Sequence, residues 1–143
     1  MTCCCTKKES LTCDAVPAAI GPYSVAVSTG SLIFISGQLP LDKDTGALVE
    51  GGIQAQTRQA LKNMQAILES VGSGMQNVVK TTVFLMDMGQ FAEMNAVYAE
   101  FFTSDFPSRS AVQVAALPKG AIVEIEAIAV MPHEHEDECC KHK

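Results

Sequence analysis

Ala121-Ile122-Val123-Glu124-Ile125-Glu126-Ala127-Ile128-Ala129-Val130-Met131 is the stretch from which the fold can be read. Its alternation predicts a strand in which Val123, Ile125, Ala127, Ala129 and Met131 share one face, apolar throughout. Ile122, Glu124, Glu126, Ile128 and Val130 share the other, where large aliphatics stand beside carboxylates. The first face suits packing beneath helices. The second carries too much apolar surface for a face left in water, which predicts an oligomer with the carboxylates near a crevice.

The remaining elements follow by working back from this strand. Pro118-Lys119-Gly120 separates it from a β-prone run over residues 110–117. Before Pro107, Phe91, Met94, Tyr98, Phe101 and Phe102 recur on one face of a helix, and residues 78–86 read as a strand. Ile53, Thr57, Ala60, Leu61, Met64, Ile67, Leu68 and Val71 form the stripe of a longer helix, ended by Gly72 and Gly74. Asp42-Lys43-Asp44-Thr45-Gly46 is a polar turn, and residues 24–29 and 32–36 form a hairpin about Gly30-Ser31. The order is ββαβαββ, an α+β domain whose two helices cover one face of the sheet.

The expected boundaries are a flexible, Cys-containing arm over 1–15, a domain over 16–132, and an acidic His/Cys tail over 133–143. Five of the six cysteines, Cys3, Cys4, Cys5, Cys139 and Cys140, lie near the ends, with Cys13 at the edge of the arm. All three histidines (His133, His135 and His142) lie in the tail. A Cys–His dyad, a Ser–His–Asp triad or a histidine-ligated metal therefore has no material inside the domain. The tails could hold a soft metal, but their spacing matches no closed tetrahedral motif, so they are read as reduced and metal-free.

The net charge of −6 and the lack of a basic stripe argue against nucleic acid as a partner. With no signal-like start and no membrane-length apolar run, the expected location is cytoplasmic.

Chemistry inside the domain must come from carboxylates, Lys, Tyr, hydroxyls, amides, the two arginines, water or backbone. Arg58 lies off its helix stripe and reads as solvated. Arg109 enters an extended segment after Pro107, and its planar fork suits a carboxylate held bidentately. A structural ion pair accounts for it equally well. Glu124 and Glu126 leave one strand face roughly 7 Å apart. In a dry crevice one of them would hold a proton and serve as acid or base; on an open face both are simply solvated. Tyr23 covers a pocket or packs in the hairpin, and Tyr98 reads as core. Asn95 lies beside the apolar face of the second helix, and Gly37, after Ser36, permits close approach of a ligand to the backbone.

Ala18-Ala19-Ile20-Gly21-Pro22-Tyr23-Ser24, Ile35-Ser36-Gly37-Gln38, Pro107-Ser108-Arg109-Ser110-Ala111-Val112 and Leu117-Pro118-Lys119-Gly120 occur in order with Val123-Glu124-Ile125-Glu126-Ala127. With Val79-Lys80-Thr81-Thr82-Val83-Phe84 and Asn95-Ala96-Val97-Tyr98, they resemble the RidA/YjgF family of reactive enamine and imine deaminases over residues 16–131. The resemblance implies a chorismate-mutase-like fold in a homotrimeric barrel, with sites between subunits and no cofactor or metal. It implies hydrolysis of 2-aminoacrylate and related enamines or imines to 2-keto acids and ammonia. Arg109 would bind the substrate carboxylate and Glu124 would activate water or move protons, with Tyr23, Ser36, Gly37, Asn95 and Ala111 lining the pocket. The family often has cysteine where Ala111 stands. The rival readings are a non-catalytic carboxylate-binding trimer and an endoribonuclease.

Overall fold

The computed structural model describes residues 7–132. The expectations for the acidic tail, for residues 1–6 of the arm and for soft-metal binding by the tails fall on residues outside that range. Six strands and two helices form the domain: β1 (Glu9–Leu11), β2 (Ala26–Ser28), β3 (Leu32–Gln38), α1 (Gly52–Ser70), β4 (Val78–Leu85), α2 (Phe91–Phe101), β5 (Ser108–Gln113) and β6 (Val123–Val130). They build one sheet in the order β1-β2-β3-β6-β4-β5, parallel only between β4 and β5.

The expected ββαβαββ order is recovered with one strand added. β1 falls within the segment expected to be a flexible arm and pairs antiparallel with β2, Glu9 opposite Ser28 and Leu11 opposite Ala26. Its three residues carry no hydrophobic alternation; the ladder to β2 holds them through backbone hydrogen bonds, which no side-chain pattern announces.

On β6, Val123, Ile125, Ala127 and Ala129 are buried, and their neighbours Thr81, Val83 and Leu85 on β4 are fully enclosed. The α1 stripe covers this face through Ile53, Thr57, Ala60, Leu61, Met64, Ile67 and Leu68, all buried, with Val71 half-exposed. Each large aliphatic so enclosed contributes on the order of 2 kcal/mol. Gly72, at φ 78°, ends α1: its N–H reaches the Glu69 carbonyl while that of Ser73 reaches Leu68. That left-handed turn is one glycine adopts without penalty. Arg58, expected to be solvated, pairs across the surface with Glu100 of α2 at 3.0 Å.

The opposite face presents Phe34, Val112 and Val130, each about 40% exposed (41, 42 and 38%), beside Glu124, Glu126 and Ile128. The mixed apolar and acidic surface read from the alternation of β6 is present.

Candidate active site

Two clefts gather the residues singled out in the sequence. The first, about 440 Å³, is lined by Tyr23, Val25, Ser36, Gly37, Lys119 and Glu124 among others. Glu124 is delivered to it by β6, whose start is held when the Ile122 N–H donates to Gln56 Oε1 of α1 at 3.0 Å. The β3–β6 register shifts between Ile35 and Gln38, and this irregularity brings Gly37 beside Glu124. A β-carbon on Gly37 would collide with the Glu124 carboxylate, so the missing side chain makes its room. The glycine was expected to admit a ligand; what it admits is a side chain of the site itself.

Ser36 donates its hydroxyl to the Ser24 carbonyl at 2.6 Å, tying the strand to the Tyr23 segment. Buried Asn63 donates to the carbonyls of Leu39 and Leu41 at 3.2 and 3.0 Å, fixing the loop that lines the same cleft. Lys119 holds a left-handed conformation at φ 58°, unusual for a residue with a β-carbon.

Burial, and secondarily the charge of Glu126, pushes the Glu124 carboxyl above its ordinary range. The two glutamates do not share a crevice. Glu126 is exposed and lines a neighbouring cavity of about 260 Å³ with Lys80, Thr82 and Phe34.

The second cleft, about 450 Å³, is lined by Asn95, Tyr98, Phe102, Phe106, Pro107 and Arg109. Arg109 Nη1 donates to Asn95 Oδ1 at 2.7 Å. The guanidinium carbon lies 4.6 Å from the Tyr98 ring centroid and 5.3 Å from that of Phe91. Among the described residues no carboxylate reaches Arg109, so it is fixed by neutral groups and its charge is not cancelled. The structural ion pair weighed from sequence is absent there.

The Arg109 and Glu124 side chains leave opposite faces of the sheet. Thr81 of β4 stands beside Arg109, whereas Phe84, three residues on, stands beside Glu124. An odd separation along a regular strand reverses the face. Arg109 therefore sits on the helix side with buried Thr81, and Glu124 on the other. Within one chain Tyr23, Ser36, Gly37 and Glu124 come together, as do Asn95 and Arg109, but the two groups do not meet. Ala111 packs against the core and lines neither cleft.

Lys119, Phe106 and the supports Gln56 and Asn63 were not anticipated, and Phe91 reads from sequence only as core. Among the described residues there is no cluster of three or more His, Cys, Asp or Glu that could hold a metal, and no helix long and apolar enough to cross a membrane.

Comparison with known proteins places the chain in a family. A family model described as Endoribonuclease L-PSP matches residues 13–131. The human protein named 2-iminobutanoate/2-iminopropanoate deaminase is 53% identical over 114 residues, covering 80% of this chain and 83% of that protein. The Salmonella typhimurium protein of the same name is 49% identical over 125 residues, covering 85% and 97%. A RutC family protein of Pyrococcus horikoshii is 51% identical over 122 residues, again covering 85% and 97%. Among solved structures, Escherichia coli TdcF with bound serine superposes with a TM-score of 0.82 at 42% identity, covering 87% of this chain and 99% of that one.

Proposed function

The chain belongs to the RidA/YjgF family, and from that premise we propose that it hydrolyses reactive 2-imino acids, and the enamines such as 2-aminoacrylate that give rise to them, to 2-keto acids and ammonia. The relatives named imine deaminases, at about half identity, support the reaction class. The observation that carries the residue assignment is Arg109, oriented by Asn95, Tyr98 and Phe91 with no carboxylate to neutralise it among the described residues. Such a guanidinium is ready for a substrate carboxylate.

An imine carbon is electrophilic enough to react with water, so the site has to orient the substrate and move protons. With the carboxylate on Arg109, the carbon is fixed and the entropic part of the barrier falls. Glu124 takes a proton from the attacking water as the C–O bond forms and returns it to nitrogen. As the tetrahedral adduct collapses, its hydroxyl proton passes to the nitrogen, the C–N bond breaks and ammonia leaves, while the C–O bond becomes the carbonyl of the keto acid. Proton transfer of this kind is typically worth about 10²–10⁴-fold, and a carboxyl raised toward neutrality suits it. No step calls for a metal or an organic cofactor.

Because Arg109 and Glu124 face opposite sides of one sheet, the complete site is proposed to form between copies in a homotrimer. The Glu124 cleft of one subunit meets the Arg109 cleft of the next. The exposed Phe34, Val112 and Val130 supply apolar surface for closing the trimer. Its location is proposed as cytoplasmic.

The test is to generate 2-iminobutanoate in situ with a dehydratase and follow 2-ketobutyrate. The protein should accelerate its appearance, and Arg109→Ala should abolish the acceleration. A second reading, a carboxylate-binding module without turnover, is favoured by the serine bound to TdcF. Saturable binding of 2-ketobutyrate with no acceleration would select it. Cleavage of RNA that is lost on Arg109→Ala would instead point to the activity in the family's description.

A further inference from the structure

Phe91, Asn95 and Tyr98 lie at i, i+4 and i+7 of α2, so one stripe of the helix presents two rings and an amide oxygen to Arg109. A ring steadies a guanidinium only if its own tilt is fixed. Tyr98 is 7% exposed, and its hydroxyl lies 2.8 Å from Oγ1 of Thr81, which is fully enclosed. Thr81 is also the residue of β4 directly beside Arg109 in the parallel ladder. The contacts therefore close a triangle: strand to strand from Thr81 to Arg109, hydroxyl to hydroxyl from Thr81 to Tyr98, and ring to guanidinium from Tyr98 back to Arg109.

Packing alone does not account for the two hydroxyls. The same face of β4 continues with Val83 and Leu85, and Phe at 98 with Val at 81 would fill the same volume. Two buried polar groups bonded to each other roughly break even against apolar groups of the same shape. Burial pushes the Tyr98 phenol up, and Thr81 and Arg109 oppose that shift, so the neutral phenol is electrically coupled to the cation it supports.

We propose that the buried Thr81–Tyr98 hydroxyl pair is a positioning device that aims the Arg109 guanidinium at the substrate carboxylate while leaving its charge uncancelled. This rests on Arg109 being the carboxylate anchor. Thr81 and Tyr98 act through Arg109 and do not touch substrate.

The experiment measures binding of 2-ketobutyrate and of its uncharged amide to the assembled protein by calorimetry, together with KM and kcat for in-situ 2-iminobutanoate. Tyr98→Phe and Thr81→Val should each weaken 2-ketobutyrate about tenfold and raise KM more than they lower kcat, with amide binding unchanged. Thr81→Ser, which keeps the hydroxyl, should restore wild-type affinity. The double variant should cost little more than either single one, because both remove the same bond. Equal losses for acid and amide would reduce the pair to a structural role and overturn the proposal. So would wild-type affinity in Tyr98→Phe and Thr81→Val when Arg109→Ala has lost it, and in that case the anchor stands. Wild-type acid binding by Arg109→Ala would remove the anchor itself.

Discussion

Glu124 occupies the space in which a side chain on Gly37 would begin. A β-carbon there meets the Oε1, Cδ and Cγ atoms of the glutamate, while the backbone of Gly37 is not in the left-handed region. The glycine is required by its neighbour, not by its own conformation, and that distinction can be tested.

Gly37→Ala should fold normally and turn the Glu124 carboxylate out of its seat. Turnover is expected to fall about 10²-fold with little change in thermal midpoint. In a Glu124→Ala background, Gly37→Ala should cost nothing further. An additional loss of the same size would show that residue 37 acts on the substrate independently of Glu124.

The pH profile should report Glu124. Burial first, and Glu126 second, favour its protonated form, so the acid limb of kcat/KM should lie above the usual carboxylate range. Glu126→Gln removes a like charge and should move that limb to lower pH. The same raised affinity for a proton means the ionised carboxylate costs stability at neutral pH. Glu124→Gln should therefore be stabilising there, with the gain fading as pH falls through the folded-state value toward the unfolded one. An acid limb that ignores Glu126→Gln would separate the pH dependence from Glu124.

Arg109→Lys keeps the charge and loses the planar fork, together with its stacking on Tyr98 and Phe91. Activity should fall about 10²-fold, mainly through KM. Near-wild-type kcat/KM would mean that a point charge suffices and the aromatic cradle is incidental.

Thr57, fully enclosed on α1, has a hydroxyl without a hydrogen-bond partner among the described residues. Thr57→Val removes that orphan at nearly constant volume and should stabilise the domain by about 1 kcal/mol. Denaturant unfolding reads this directly. Destabilisation by a similar amount would mean that the hydroxyl is satisfied in solution.

Periodicity carried most of the architecture. The stripe from Ile53 to Leu68 is a helix because it is long and closed by Gly72, and the two faces of β6 follow from strict alternation. β1 is not visible in the pattern because three edge residues, of which only Leu11 packs against the core, show no alternation. The β4–β5 pairing is parallel, and side-chain patterning does not encode the partner of a strand.

At the site, residue types were legible and their grouping was not. Glu124 and Glu126 are equivalent in spacing; a register shift in another strand gives one of them a seat and leaves the other outside it. Phe91 and Tyr98 read as core because a stripe at i and i+7 looks the same whether it packs on Leu or on a guanidinium. The reversal of face between Arg109 and Glu124 depends on the register of β4 with both its neighbours, which sequence spacing cannot supply.

That reversal gives the account its most direct measurement. Arg109→Ala and Glu124→Gln are purified separately, unfolded and refolded together in equal amounts, and assayed for 2-ketobutyrate release from in-situ 2-iminobutanoate. Each alone should be inactive. If every site takes Arg109 from one copy and Glu124 from another, random assembly should restore about a quarter of wild-type activity. A mixture as inactive as its two components, when wild type put through the same refolding recovers its activity, would contradict a site shared between subunits.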